Sequence, residues 1–235
     1  MKVVWLALAC VSAFALAAVV SKARAQGLHD DFNGSELDTT IWSADRGNGD
    51  IVVGNGVMTL SSGGELFPLV ITKKNPFPEG DFVVRVGCQY VSAARCGCGL
   101  GTTTNFYSAD CRPFVLWQDA VAPEGAWYVY VGTSLRTFLP LAEHLDYHIF
   151  EWDRIDGVDL CLMDGVFVAS SPCSLRPIDF FFGHPRPGGC DPDAPYWTAL
   201  AVDFIDISPL GPTDVHSTSW GKLKALYRAG ARSAN

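Results

Sequence analysis

Short runs rich in Val, Ile, Phe, Tyr and Trp recur along most of the chain between clusters of Gly, Pro, Asn and Asp, a texture that points to a β sandwich or barrel. The runs include IVV from Ile51, VMTLSS from Val57, DFVVRVGCQY from Asp81, WYVYVG from Trp127, YHIFEW from Tyr147, VDLCLM from Val158, IDFFFG from Ile178 and ALAVDFIDI from Ala199. No long amphipathic helix interrupts them, and no repeat or low-complexity tract is present. Asn55-Gly56 lies between the first two runs and Asp164-Gly165 between VDLCLM and VFVASS. Both dipeptides supply the positive φ angles of a two-residue hairpin turn, so two hairpins are expected there. With 49% hydrophobic residues, the chain can fill one sizeable core.

The two ends differ from this pattern. Met1 and Lys2 precede the apolar run Val3 to Val20, and SKARA follows, ending at Ala25. Charge, apolar run and small-residue site in that order make residues 1–25 a signal peptide. The run approaches the roughly 18 to 20 residues that cross a bilayer. Ala23 and Ala25 nevertheless fit a cleavage site, so no integral membrane segment is expected after cleavage, and a secreted, periplasmic or envelope location follows. Residues 28–209 form the domain. Residues 210–235 read as a linker and an amphipathic helix, with Trp220, Leu223, Leu226 and Tyr227 at helical spacing and Lys222, Lys224, Arg228 and Arg232 making the tail basic. The bland expectation is that its apolar side packs on the sandwich and its cations meet nearby carboxylates.

Losing Lys2, Lys22 and Arg24 takes the formal net charge from −8 to −11. So acidic a protein disfavours nucleic acid and anionic membranes as partners, because both draw Lys and Arg through long-range fields. Neutral sugars and cations remain open. Seven cysteines survive cleavage: Cys88, Cys96, Cys98, Cys111, Cys161, Cys173 and Cys190. In an oxidising compartment disulfides are the default, and the odd count leaves one thiol unpaired or bonded to another molecule. Spacing groups Cys96, Cys98 and Cys111, and sets Cys161 and Cys173 on either side of one hairpin, without fixing connectivity. Cys96-Gly97-Cys98 lacks the two-residue gap and second pair of a zinc site.

Several segments in order resemble the concanavalin A-like lectin and glucanase superfamily. DDFNGSELDTTIW, Asp30 to Trp42, is similar to the opening of such domains and is followed by VVGNGVMTLSS. HLDYHIFEWDRIDGVDLCLMDGVFV, His144 to Val168, is similar to their late strand pair, and WTALAVDFIDI, Trp197 to Ile207, to their closing strand. The resemblance implies an all-β, two-sheet antiparallel jelly-roll sandwich, here with a short C-terminal helix.

On this scaffold, glycoside hydrolase family 16 carries Glu-x-Asp-x-Glu, or a variant with one more residue, on its catalytic strand. Alternate residues of a strand face one side, so such acids converge on a groove. A retaining mechanism needs two carboxyl groups about 5 Å apart. By order the matching strand is RPFVLWQDA, Arg112 to Ala120, and it lacks the motif. Phe114, Leu116 and Gln118 alternate with Val115, Trp117 and Asp119, and Asp119 is the only acid. Glu124, beyond Pro123, does not restore the alternation.

Glu143, His144, Asp146 and His148 form the densest titratable cluster, at a spacing that diagnoses no metal or catalytic site; they read as structural or solvated. Neither a G-x-S-x-G elbow nor an H-E-x-x-H motif occurs. Aromatic residues are more telling, because sugar C–H faces stack on indole and phenol. Trp117, Gln118, Asp119, Tyr128 and Tyr130 are therefore the candidate ligand-binding residues, although a strand aromatic is as readily core. Related jelly rolls often hold a structural calcium through an acid of the closing strand; the resemblance assigns that role to Asp203. Asp191 and Asp193 of GGCDPDAP read equally as a polar turn. No cofactor is required. A secreted, non-catalytic domain binding poly- or oligosaccharide is the leading expectation, ahead of a hydrolase or lyase with an unusual site and of an envelope structural or interaction domain.

Overall fold

The computed structural model describes residues 27–62, 67–92, 98–103, 115–119, 126–131, 134–137, 145–173, 175–184 and 199–210; at 92, 115–119, 126–128, 130, 131 and 134–137 it describes backbone and pairing only. The expected signal peptide and C-terminal helix lie outside these residues, as do Cys96, Cys111, Cys190, Glu143, His144, Asp191 and Asp193. Among the described residues, no helix is long and apolar enough to cross a membrane.

Among the described residues there are fifteen strands: β1 (Leu28–Asp30), β2 (Trp42–Asp45), β3 (Asp50–Gly54), β4 (Val57–Ser61), β5 (Leu69–Thr72), β6 (Phe82–Ser92), β7 (Cys98–Gly101), β8 (Val115–Asp119), β9 (Ala126–Val131), β10 (Ser134–Thr137), β11 (His148–Ile155), β12 (Val158–Met163), β13 (Val166–Pro172), β14 (Phe181–Gly183) and β15 (Ala199–Pro209). The first sheet runs β13-β12-β11-β6-β15-β4-β3, with β1 also pairing with β15. The second runs β10-β9-β8-β7-β14-β5-β2. All pairings are antiparallel, as the jelly-roll expectation requires.

Alternation sorts the residues. Along β11, His148, Phe150, Trp152 and Arg154 are buried, while Ile149, Glu151, Asp153 and Ile155 face outward. Met58, Leu60, Val84, Val86, Val202 and Ile205 from the first sheet meet Val70, Leu100, Val129 and Phe182 from the second in one core. Burial of these apolar faces supplies the main drive to fold. The pairing of β15 with β6 shifts between Val202 and Phe204. This irregularity keeps both Val202 and Ile205 in the core and leaves Asp203 exposed.

Among the described residues, three turns carry positive φ at both central residues: Asn55-Gly56 (57° and 77°), Asp164-Gly165 (50° and 74°) and Asp156-Gly157 (51° and 75°). The first two are the expected hairpins, and the third joins β11 to β12 by the same chemistry. In the opening segment, Asp30 ties the chain down by accepting from Trp42 Nε1 at 2.7 Å and from Phe32 N at 2.9 Å. Trp42 packs against Phe32 and Phe182, with ring centroids 6.2 and 5.6 Å away.

The expectation that one thiol is left over needs correction. Cys173 is disulfide-bonded, whereas Cys88, Cys98 and Cys161 are free thiols, all fully buried. The hairpin bracketed by Cys161 and Cys173 is thus not closed by a bond between them. Cys161 stands opposite Trp152 on the core side of β12 and serves as a small apolar residue. Burial pushes all three thiols up, Cys98 to about 12 against the opposing hydrogen bond to Tyr90. Thiols so held are unreactive.

Candidate functional site

The face of the second sheet turned away from the core is a cross-strand array. Leu100, Val129, Phe182 and Val70 are fully buried in the core, so their strand neighbours occupy the opposite face. One row across that face runs Gly183, Gly99, Trp117, Tyr128, Thr137, and the adjacent row runs Phe181, Gly101, Val115, Tyr130, Leu135. Trp117 therefore stands directly opposite Tyr128, and Tyr130 opposite Val115. Asp119 lies on the same face, opposite Ala126.

Four of the five expected ligand-binding positions, Trp117, Asp119, Tyr128 and Tyr130, are thus brought to one face. Gln118 is not with them. It pairs with Cys98, whose side chain is fully buried, and so takes a core-side position. The sequence grouped Gln118 with its neighbours because adjacency, not alternation, suggested it.

Beside the aromatic positions lies a feature the sequence did not announce. Gly99, Gly101 and Gly183 follow at the neighbouring register positions on β7 and β14, and all three are buried; a Cβ at Gly183 would meet the Pro68 carbonyl and lie 3.3 Å from Leu60 Cδ2. A strand reading CGLG has no β-branched or aromatic residue to mark it. Phe181 is fully buried on this face, outside the core cluster. The end of β7 is fixed to the segment before β14 by Asp179, which accepts from Thr103 N at 2.8 Å and from Thr103 Oγ1.

Among the described residues, titratable groups gather on the first sheet. Within the core, Asp159 accepts from Arg154 Nε at 2.7 Å, Arg154 Nη2 at 2.7 Å and Trp152 Nε1 at 2.9 Å, while Arg154 Nη1 donates to Leu175 O at 2.6 Å. Burial pushes the Asp159 carboxyl up, and the bonds from Arg154 and Trp152 oppose it. The guanidinium also lies 5.7 Å from the ring centroids of both Phe82 and Trp152. This network is structural: every donor and acceptor just named is already engaged inside the protein.

On the outer side of β11, Glu151 accepts from Arg85 Nε at 2.6 Å. Asp153, two residues on, has its Oδ1 buried without a hydrogen-bond partner. Burial, and then the negative charge of Glu151, push the Asp153 carboxyl up to about 7, with Arg85 opposing. These are two carboxyl groups on one face of one strand, but on the sheet opposite the aromatic array. His148 Nδ1 lies 2.7 Å from Asp164 Oδ2, and Asp164 Oδ1 accepts from Ile149 N at 2.8 Å, so this histidine braces the β12–β13 turn.

The calcium expectation at Asp203 finds no ligand set. Asp203 Oδ2 accepts from Tyr147 Oη at 3.0 Å, and among the described residues no three His, Cys, Asp or Glu side chains converge to hold a metal ion. That hydrogen bond, after burial as the larger cause, helps push the Tyr147 phenol up to about 12.

No family model matches the chain, and no curated protein matches it in sequence. Solved structures match it in fold. A prokaryotic β-1,3-1,4-glucanase (lichenase) derived from a mouse hindgut metagenome superposes with a TM-score of 0.56 at 15% identity, covering 78% of this chain and 99% of its own. The endo-β-1,3-glucanase from Pyrococcus furiosus gives 0.56 at 13% identity, with 77% and 93% covered. The laminarinase catalytic domain from Thermotoga maritima gives 0.56 at 10%, with 80% and 99% covered. At such identities the likeness shows the fold alone, a two-sheet jelly-roll sandwich, and fold does not fix activity.

Proposed function

We propose, taking the concanavalin A-like jelly roll as premise, that this chain is an exported carbohydrate-binding domain that holds a poly- or oligosaccharide on the outer face of its second sheet without cleaving it. One observation carries the reading. The register gathers Trp117, Tyr128 and Tyr130 on one face, while Val115, Trp117 and Asp119, the alternating outward positions of β8, offer a single carboxyl group. Aromatic positions clustered on one face suit the flat apolar faces of sugars. One acid cannot serve as both nucleophile and proton donor. The acidic composition and the signal-like N-terminus support a neutral ligand met outside the cytoplasm.

A glycan array followed by a product assay on every glycan bound tests this reading. Binding without turnover is expected; new reducing ends or unsaturated products would overturn it. Trp117→Ala should weaken binding about two- to tenfold, matching about 0.5–1.5 kcal/mol for one aromatic contact, while the urea midpoint stays near that of the parent. A large stability loss would instead make Trp117 a packing residue. The second reading, a glycoside hydrolase with an unusual acid pair, is favoured by the structural neighbours, which are two glucanases and a laminarinase catalytic domain. Turnover in the same assay would select it.

A further inference from the structure

The outer face of the first sheet carries an apolar strip within an acidic surround. Of the exposed large hydrophobic residues described, Val91, Leu145, Tyr147, Ile149 and Phe167 belong to this face or to the turn leading into it, and they are 40–57% exposed. Phe167 stands opposite Leu162, and Leu162 opposite Glu151; one row along, Ile149 faces Gly87, and Gly87 faces Phe204. Gly87 lets the strip close up. A Cβ there would collide with Tyr147 Oη and come within 2.6 Å of the Phe204 ring, so its absence lets Tyr147 cross β6 to reach Asp203. Around the strip, the outward positions hold Glu151, Asp153, Asp203 and Asp206 against one guanidinium, Arg85, with His29 Nδ1 3.7 Å from Asp206.

The same chain contains a segment of matching chemistry. From Ser217 to Arg232 it has four cations, Lys222, Lys224, Arg228 and Arg232, and no acid, with Trp220, Leu223, Leu226 and Tyr227 at helical spacing. We propose that residues 217–232 dock as an amphipathic helix on the outer face of the first sheet, laying their apolar side over Ile149, Tyr147 and Phe204 and their cations among the four carboxyl groups. Chain length permits it. The last strand delivers the chain to Pro209, opposite Phe82, and Leu210 N donates to Asp81 O at 3.0 Å. Phe204 is five residues back, about 17 Å along the strand. Residues 211–216 can span about 20 Å when extended, which returns residue 217 to the strip. Opposite net charge on the two surfaces adds long-range attraction to the burial of apolar area.

The test is zero-length carbodiimide cross-linking of the full chain, using a mixture of isotopically light and heavy protein, followed by peptide mapping. Links from Lys222 or Lys224 to Asp203, Asp206 or Glu151 within single-isotope species are expected, and they should be lost in Ile149→Lys, a change at an exposed position that leaves the core intact. Mixed-isotope links would assign the strip to a second copy and overturn the proposal. Links from these lysines only to carboxyl groups elsewhere, no links at all, or links that survive in Ile149→Lys would also overturn it.

Discussion

Replacing Asp153 by Asn should stabilise the protein at neutral and alkaline pH and leave it nearly unchanged in acid. Asp153 faces outward on β11, yet its cross-strand neighbours are Leu160 and Val83, and Arg85, the cation whose charge acts on it, is held by Glu151. Its Oδ1 is buried with no partner, and its carboxyl is pushed up to about 7 from 3.8. The folded state therefore binds a proton that the unfolded chain releases near pH 4. The protonated form favours folding below that pH, and the advantage is lost as pH rises from about 4 through about 7. A rise from 3.8 to about 7 sets a ceiling of about 4 kcal/mol at about 1.4 kcal/mol per pH unit. Partial exposure of Asp153 lowers the expectation to about 2 kcal/mol. Urea unfolding of the parent and Asp153→Asn, measured from pH 3.5 to 8.5, isolates this site because the other carboxyl groups cancel in the difference. The difference should be near zero at the acid end and grow to about 2 kcal/mol above pH 7. A pH-independent difference, or destabilisation by Asn at pH 8, would show that the carboxylate has a partner and refute the reasoning.

Two further substitutions probe the sandwich. Asp159→Ala strands the Arg154 guanidinium in the core and should cost about 3–5 kcal/mol, whereas Arg154→Met with Asp159→Leu should cost clearly less; equal losses in chemical denaturation would mean that packing, not charge pairing, dominates there. Gly87→Ala should cost about 1–3 kcal/mol by displacing Tyr147 and Phe204, and Tyr147→Phe should absorb part of that loss. Additive effects of the two changes in thermal unfolding would count against their contact.

Much of the sandwich is legible because alternation and turn chemistry are local. Asn55-Gly56 and Asp164-Gly165 announce their hairpins, and runs such as YHIFEW and VDLCLM become β11 and β12. The short strands β1, β2, β5, β7 and β10 were not read, since three or four residues cannot display a period and β7 is half glycine. The aromatic face was legible in part: Trp117, Tyr128 and Tyr130 are two residues apart or cross-strand, but their side of the sheet depends on register. Register also moves Gln118 to the core side. The buried thiols misled for a different reason. An odd cysteine count implies at least one unpaired thiol without limiting it to one, and Cys88, Cys98 and Cys161 sit in the core as small apolar residues.

The buried glycines at positions 99, 101 and 183 carry an implication for where this sheet can change. A Cβ at Gly183 would run into the Pro68 carbonyl and come within 3.3 Å of the Leu60 side chain, and the residue holds a φ of 104°, a conformation that side chains rarely adopt. The junction of β14 with β5 is therefore closed to enlargement. Diversification of the sheet is pushed away from β14 toward β8 and β9.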